Sequence, residues 1–79
     1  MIRETIMLDE VVYEVTTKVP YYDNNYVENI GKWLIETQHN VDLLKSDFRY
    51  LRGDASYRWL YVITVRNFKT ALAIELAFG

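Results

Sequence analysis

The chain has 79 residues, with nine Lys and Arg against eleven Asp and Glu, an apolar content of 51% and no cysteine. Such a chain is long enough for one domain, residues 1–79, and without disulfides it must gain its stability from packing or from association. The apolar content excludes a disordered chain, and no apolar run approaches the ~20 residues of a membrane span. Because the first residues lack the pattern of a signal peptide, we expect a cytoplasmic protein.

The first part of the chain predicts two β-strands. Between Glu10 and Pro20 the residues alternate in a way that is typical of a strand with one buried face. Pro20 ends this strand because it has no N–H to donate to the ladder. Residues 2–8 also favour a strand, which would turn back near Leu8 without the help of a glycine. The predicted buried face of the longer strand consists of Val11, Tyr13, Val15, Thr17 and Val19.

Two helices are predicted. Apolar residues recur at helical spacing from Asn25 to Gln38. A second helix is predicted from Phe68 to Phe78, with Asn67 as its N-cap and Gly79 at its C-cap position. The expected core joins Val27, Ile30, Leu34, Leu72 and Leu76 of the helices to Val15 and Val62 of the strands.

The segment between the helices predicts an antiparallel hairpin. Phe48 and Tyr50 alternate with polar residues, residues 52–55 have the composition of a turn, and a strongly β-forming run extends from Tyr57 to Val65. Both faces of this last strand are largely apolar, which predicts a central strand or one that is covered on both faces.

The predicted order of elements is therefore (β)βαββα. This order indicates an α+β fold in which an antiparallel sheet of three or four strands carries two helices on one face. We expect a two-layer sandwich of ferredoxin-like character.

Charge and aromatic content are concentrated in the predicted hairpin. Residues 1–44 carry a net charge of −5, whereas residues 45–69 carry +4. Arginines that alternate with aromatic residues suit base stacking and phosphate contact, although the net charge of −2 for the whole chain disfavours nonspecific binding to a polyanion. Alternatively, the rings belong to a core or a dimer interface, and the arginines are solvated or paired. The candidate binding surface consists of Arg49, Tyr50, Arg52, Tyr57, Arg58, Trp59, Tyr61 and Arg66.

No motif predicts catalysis, a metal site or a cofactor. The acidic residues form no pair in a context that acid–base catalysis needs, and we interpret them as solvated surface. The single histidine, His39, is expected to interact with the end of the first helix rather than to act as a base. One histidine without cysteine disfavours a transition-metal site, and the three isolated glycines form no phosphate loop. We therefore expect a protein that is not an enzyme and binds no cofactor.

The C-terminal half resembles the ending of many small proteins of tailed bacteriophages. In that pattern an aromatic strand leads through a short polar turn into a helix with an early alanine and leucine, and the chain ends on an aromatic residue and a glycine. The residues that carry the resemblance are residues 57–79, with Ala71, Leu72, Phe78 and Gly79 among them, and Trp33-Leu34 in the first helix. The resemblance implies an early, host-modifying accessory protein, a class of small binders and inhibitors without catalytic residues.

These observations leave two functional hypotheses. The first is a phage-encoded interaction protein that binds and modulates a host protein, such as a component of anti-phage defence. The second is a small RNA-binding protein that uses the basic, aromatic hairpin of residues 45–66. A homodimer is expected in addition, because a monomer would expose one apolar face of the last strand.

Overall fold

A four-stranded sheet and two helices make up the structure, a computed structural model that describes residues 1–20, 25–50 and 57–79. At residues 50, 57 and 58 it describes the backbone alone, and the predicted turn at residues 52–55 lies outside the described residues. In chain order the elements are β1 (Ile2–Met7), β2 (Glu10–Pro20), α1 (Tyr26–Glu36), a 3₁₀ helix (His39–Asp42), β3 (Leu43–Tyr50), β4 (Tyr57–Val65) and α2 (Phe68–Phe78).

The sheet has the strand order β1-β2-β4-β3, and every neighbouring pair is antiparallel. Helix α1 therefore connects β2 to β3 across the intervening strand β4, which is the split β-α-β arrangement. Strands β2 to β4 and the two helices follow the βαββα part of the ferredoxin-like order, and β1 supplies a further edge strand at the N-terminal side. The predicted α+β two-layer sandwich is confirmed.

The first hairpin forms without glycine. The predicted first strand is confirmed as β1, and it turns into β2 through Leu8 and Asp9, whose φ angles are 51° and 62°. Two consecutive residues in the left-handed region are what a type I′ hairpin turn requires. Asparagine, aspartate and glycine adopt this region readily, whereas leucine does so at a steric cost. Leu8 is therefore a strained residue in an otherwise regular hairpin.

The two helices lie on the same face of the sheet. Ile30 and Leu34 of α1 and Ala71 and Ile74 of α2 join one buried cluster with three strand residues, Val15, Ile63 and Val65. On β2, Val15 and Thr17 of the predicted face are buried, but the prediction of a single buried face was wrong, because Val11 is 50% exposed and Val12 and Glu14 on the opposite face are buried. Helix α2 begins as predicted, with the Asn67 side chain accepting a hydrogen bond of 2.9 Å from the backbone N–H of Lys69.

The predicted core was wrong for the second helix. Leu72 is 43% exposed and Leu76 is 80% exposed, while Thr70, Ala71 and Ile74 form the buried side of α2. Apolar residues occur all around this helix, so the sequence offered several faces that could have packed on the sheet.

Val62 is buried, but on the face opposite to the helices. Its neighbour Ile63 belongs to the helix-side core, and successive strand residues point to opposite faces. The expectation that a monomer would expose this apolar face was wrong, since Val62 and Thr64 are each 2% exposed. The charged residues described below account for this burial.

Candidate functional site

The candidate binding residues are divided between the two faces of the sheet. Trp59 and Tyr61 lie on the helix side of β4, whereas Arg49 points to the open face, opposite Leu60. Arg66 is exposed just beyond β4, where its backbone N–H donates to the carbonyl of Asp42 at 3.1 Å. Of the remaining candidates, Arg52 lies outside the described residues. For Tyr50, Tyr57 and Arg58 the structure describes the backbone alone.

Three aromatic rings meet on the helix side of β3 and β4. Phe48 of β3 lies directly opposite Tyr61 in the strand register, with ring centroids 5.0 Å apart. Phe48 also packs edge to face against Trp59, at a centroid distance of 6.1 Å and an interplanar angle of 79°. We call Phe48, Trp59 and Tyr61 the aromatic cluster.

The aromatic cluster is half covered and half open. Tyr61 packs against the helix-side core, so one end of the cluster is anchored there. Phe48 is 54% exposed and Trp59 is 43% exposed, and these two rings line a shallow, mainly apolar depression of about 310 Å³. In β2, the residue opposite Trp59 is Val19, which extends the apolar character of this surface. The cluster thus has one ring that packs on the core and two that are partly exposed. Aromatic residues are enriched at protein interfaces.

The open face carries a charged network instead of aromatic rings. Glu14 is 8% exposed, and its carboxylate accepts hydrogen bonds from Arg3 Nε at 3.0 Å and from Arg49 Nη2 at 3.4 Å. On β4, Glu14 of β2 lies opposite Thr64, and Arg49 of β3 lies opposite Leu60. Val62 lies between these two positions, so the Arg49 side chain passes over Val62 to reach Glu14. The network therefore satisfies a buried carboxylate and shields the apolar centre of this face.

Sequence reasoning missed two residues of these surfaces. Phe48 was placed on a strand but left out of the candidate surface, and its contact with Trp59 depends on the register of the β3–β4 hairpin. Glu14 was interpreted as a solvated acid, and that interpretation was wrong. The sequence did contain a signal for the burial of Glu14. On the predicted strand it shares a face with Val12 and Thr16, opposite to Val15.

His39 takes part in a polar contact between the 3₁₀ helix and α2. The Thr70 hydroxyl donates to Asp42 Oδ2 at 2.8 Å and lies 3.3 Å from His39 Nδ1, while the imidazole stacks near Trp33 with a centroid distance of 5.4 Å. Thr70 is 2% exposed, so its hydroxyl is closed to a substrate. The contact of Thr70 with His39 and Asp42 therefore satisfies a buried hydroxyl and joins two elements, and it does not resemble a nucleophile and its base.

A second, larger depression of about 550 Å³ lies beside the C-terminal end of α2. Its lining includes Glu75, which pairs with the Met1 amino group at 2.7 Å, and Tyr26, whose hydroxyl donates to the Phe78 carbonyl at 3.0 Å. The Glu75 carboxylate and the Tyr26 hydroxyl are thus each bound to a partner within the protein.

Within residues 1–20, 25–50 and 57–79, no three His, Cys, Asp or Glu side chains are grouped so that they could hold a metal ion. None of the helices in the described part of the chain is long and apolar enough to cross a membrane. Comparison of the chain with protein-family models, with curated proteins and with solved structures found no match. The likeness to phage accessory proteins therefore rests on the sequence pattern of the C-terminal half alone.

Proposed function

We propose that this chain is a non-catalytic interaction protein that binds a protein partner through the aromatic cluster. The observation that carries the proposal is the exposure of Phe48 and Trp59 on the sheet, in a ring cluster whose third member, Tyr61, packs against the core. Trp, Tyr and Phe are enriched in the central residues of protein interfaces, where they bury large areas at a small cost in conformational entropy. Rings that are held in place before binding lose little freedom on association.

The resemblance of residues 57–79 to accessory proteins of tailed phages supports a host protein as the partner. A host-modifying phage protein acts inside the infected bacterium, so we place this chain in the host cytoplasm. Modulation or inhibition of a host component, such as one that defends against phages, is the function that this class implies.

The charge distribution favours a protein partner over RNA. An RNA-binding sheet needs cationic side chains next to the rings that stack on bases. In the described part of β3, Lys45 and Arg49 point away from the aromatic cluster by register, and they pair with Asp47 and Glu14, respectively. RNA binding remains the alternative, and the experiment below distinguishes it.

The test is affinity capture from a bacterial lysate, with and without nuclease treatment, using the native protein, Trp59→Ala and Phe48→Ala. We expect a nuclease-resistant protein that the native chain retains and that both variants lose by at least tenfold, as is typical of an interface hot spot. Ile35→Ala is the matched control, because it removes an exposed apolar side chain of α1 that belongs neither to the aromatic cluster nor to the first hairpin or α2. Circular dichroism verifies that each variant is folded.

Two outcomes contradict the proposal. If both ring variants retain the same proteins as the native chain, the aromatic cluster is not the binding surface. If nucleic acid co-purifies and nuclease removes all captured material, the RNA-binding alternative is correct. In that case the salt dependence of binding should weaken by roughly one unit of log–log slope for each arginine that is replaced among Arg49, Arg58 and Arg66.

A further inference from the structure

The two edges of the sheet differ in how they are protected. Edge strand β3 has a register irregularity between Leu43 and Lys45 and carries the Lys45–Asp47 ion pair. Bulges and edge charges are features that discourage another strand from pairing. Edge strand β1 pairs with β2 over six successive residues without a register shift. It presents a regular edge.

The backbone groups on the free side of β1 can be identified from the ladder. Met1 and Thr16 exchange two backbone hydrogen bonds, Thr16 N–H to Met1 O at 2.9 Å and the Met1 amino group to Thr16 O at 3.3 Å. In an antiparallel pair, hydrogen-bonded and non-hydrogen-bonded positions alternate. The odd residues of β1 therefore bond to β2, and the N–H and C=O groups of Ile2, Glu4 and Ile6 point away from the sheet.

An apolar stripe of α2 lies on the same side of the molecule as this edge. Phe68 packs against Tyr13 of β2 at a centroid distance of 5.4 Å, and Glu75 contacts Met1 at the start of β1. Leu72 lies four residues after Phe68 and three before Glu75, so it shares their side of the helix. Leu76 continues the stripe by one more turn.

The stripe continues onto the first hairpin. Ile6 and Val11 lie opposite each other on the helix side of the sheet, next to Tyr13. The apolar patch, defined as Ile6, Val11, Phe68, Leu72 and Leu76, consists of side chains that are 43% to 80% exposed. If each of these five side chains exposes on the order of 100 Å², the patch exposes on the order of 500 Å², which is at the upper end for an apolar patch on a monomer. This area is more than half of the ~800 Å² that one partner buries in a standard interface.

We infer that two copies of this chain associate through β1 and the apolar patch. A two-fold axis perpendicular to the sheet would pair β1 with its copy and form a continuous eight-stranded sheet, with the two α2 stripes facing each other across the axis. The backbone hydrogen bonds come from the outward groups of β1, and the apolar patch completes the area that a stable dimer needs.

The charged residues of β1 determine the register in which β1 pairs with its copy. Pairing Glu4 with its own copy would place two carboxylates opposite each other, which is unfavourable. Pairing Thr5 with its own copy places Glu4 opposite Ile6 instead and keeps Arg3, which is bound to Glu14, opposite Met7. This register retains the hydrogen-bonding positions of both strands.

The experiment is light scattering during size-exclusion chromatography over a series of protein concentrations. We expect the native chain to have twice its 9.4 kDa mass at micromolar concentration. Leu72→Arg and Ile6→Arg should each raise the dimer dissociation constant by at least tenfold. Glu4→Pro should do the same, because it removes an outward-pointing N–H without removing a β1–β2 hydrogen bond.

Ile35→Arg is the matched control, since Ile35 is an exposed apolar residue of α1 outside the apolar patch. A native chain that stays at 9.4 kDa at 100 µM would overturn the inference. A dimer that all three interface variants leave unchanged would also overturn it. The result is independent of the proposed function, because Trp59→Ala should remain dimeric and Leu72→Arg should still capture the host partner.

Discussion

The hydroxyl of Tyr26, at the start of α1, donates a hydrogen bond of 3.0 Å to the carbonyl of Phe78, the last residue of α2. The two rings also pack edge to face, with centroids 6.1 Å apart. The carbonyls of the last turn of a helix have no partner within the helix, so this bond satisfies one of them and joins the two helices at the same time. Residues that are 52 positions apart are thus held together by one side chain.

The first prediction concerns this contact. Tyr26→Phe keeps the ring and removes the hydroxyl, so the free energy of unfolding should fall by about 1 kcal/mol. Tyr26→Ala removes the partly buried ring as well and should cost more than Tyr26→Phe. Urea denaturation followed by tryptophan fluorescence measures both. Equal stability of Tyr26→Phe and the native chain would mean that the bond contributes nothing to folding.

The second prediction distinguishes the observed core from the core expected from the sequence. Leu34→Ala and Ile74→Ala each leave a cavity in the helix-side core and should lower the free energy of unfolding by about 2 to 5 kcal/mol. Leu76→Ala changes an exposed side chain and should stay within about 0.5 kcal/mol of the native value. The free energies of unfolding are measured by chemical denaturation at low protein concentration, where association is negligible. A large loss for Leu76→Ala would contradict the orientation of α2.

The third prediction concerns the strained turn between β1 and β2. Replacing Leu8 and Asp9 together by Asn and Gly supplies the residues that a type I′ turn favours. Because both native residues have positive φ, the double variant should be about 1 kcal/mol more stable, which raises the melting temperature of a domain of this size by roughly 4 to 8 °C. Asp9→Ala is the contrasting variant and should lower the melting temperature. A double variant that melts below the native chain would argue against this turn geometry.

The fourth prediction concerns the open face. Glu14→Gln leaves two arginines around a nearly buried neutral side chain, so the free energy of unfolding should fall by about 1 to 3 kcal/mol. Arg49→Met should cost less, about 1 kcal/mol or below, because the Arg49 side chain is 53% exposed and the pair is partly screened by water. Glu36→Gln, at an exposed acid of α1, is the control and should have little effect. Equal losses at Glu14 and Glu36 would show that the network has no role in stability.

Periodicity in the sequence determined most of the elements of this fold. The alternation of residues 11–19 predicted strand β2 and the burial of Val15 and Thr17, and the helical spacing of Ile30 and Leu34 predicted the side of α1 that packs on the sheet. Asn67 predicted the start of α2 because its side chain suits an N-cap. These features depend on residues close together in the chain, and local pattern is therefore enough to predict them.

The tertiary structure alone decided the orientation of α2 and the composition of the surfaces. Apolar residues surround α2, so local pattern could not decide between the side of Leu72 and Leu76 and the side of Ala71 and Ile74. The pairing of Glu14 with Arg3 and Arg49 spans 11 and 35 residues, and the meeting of Phe48 with Trp59 depends on hairpin register. Such contacts form between residues that are distant in the chain, and their free energy depends on which strands become neighbours in the sheet.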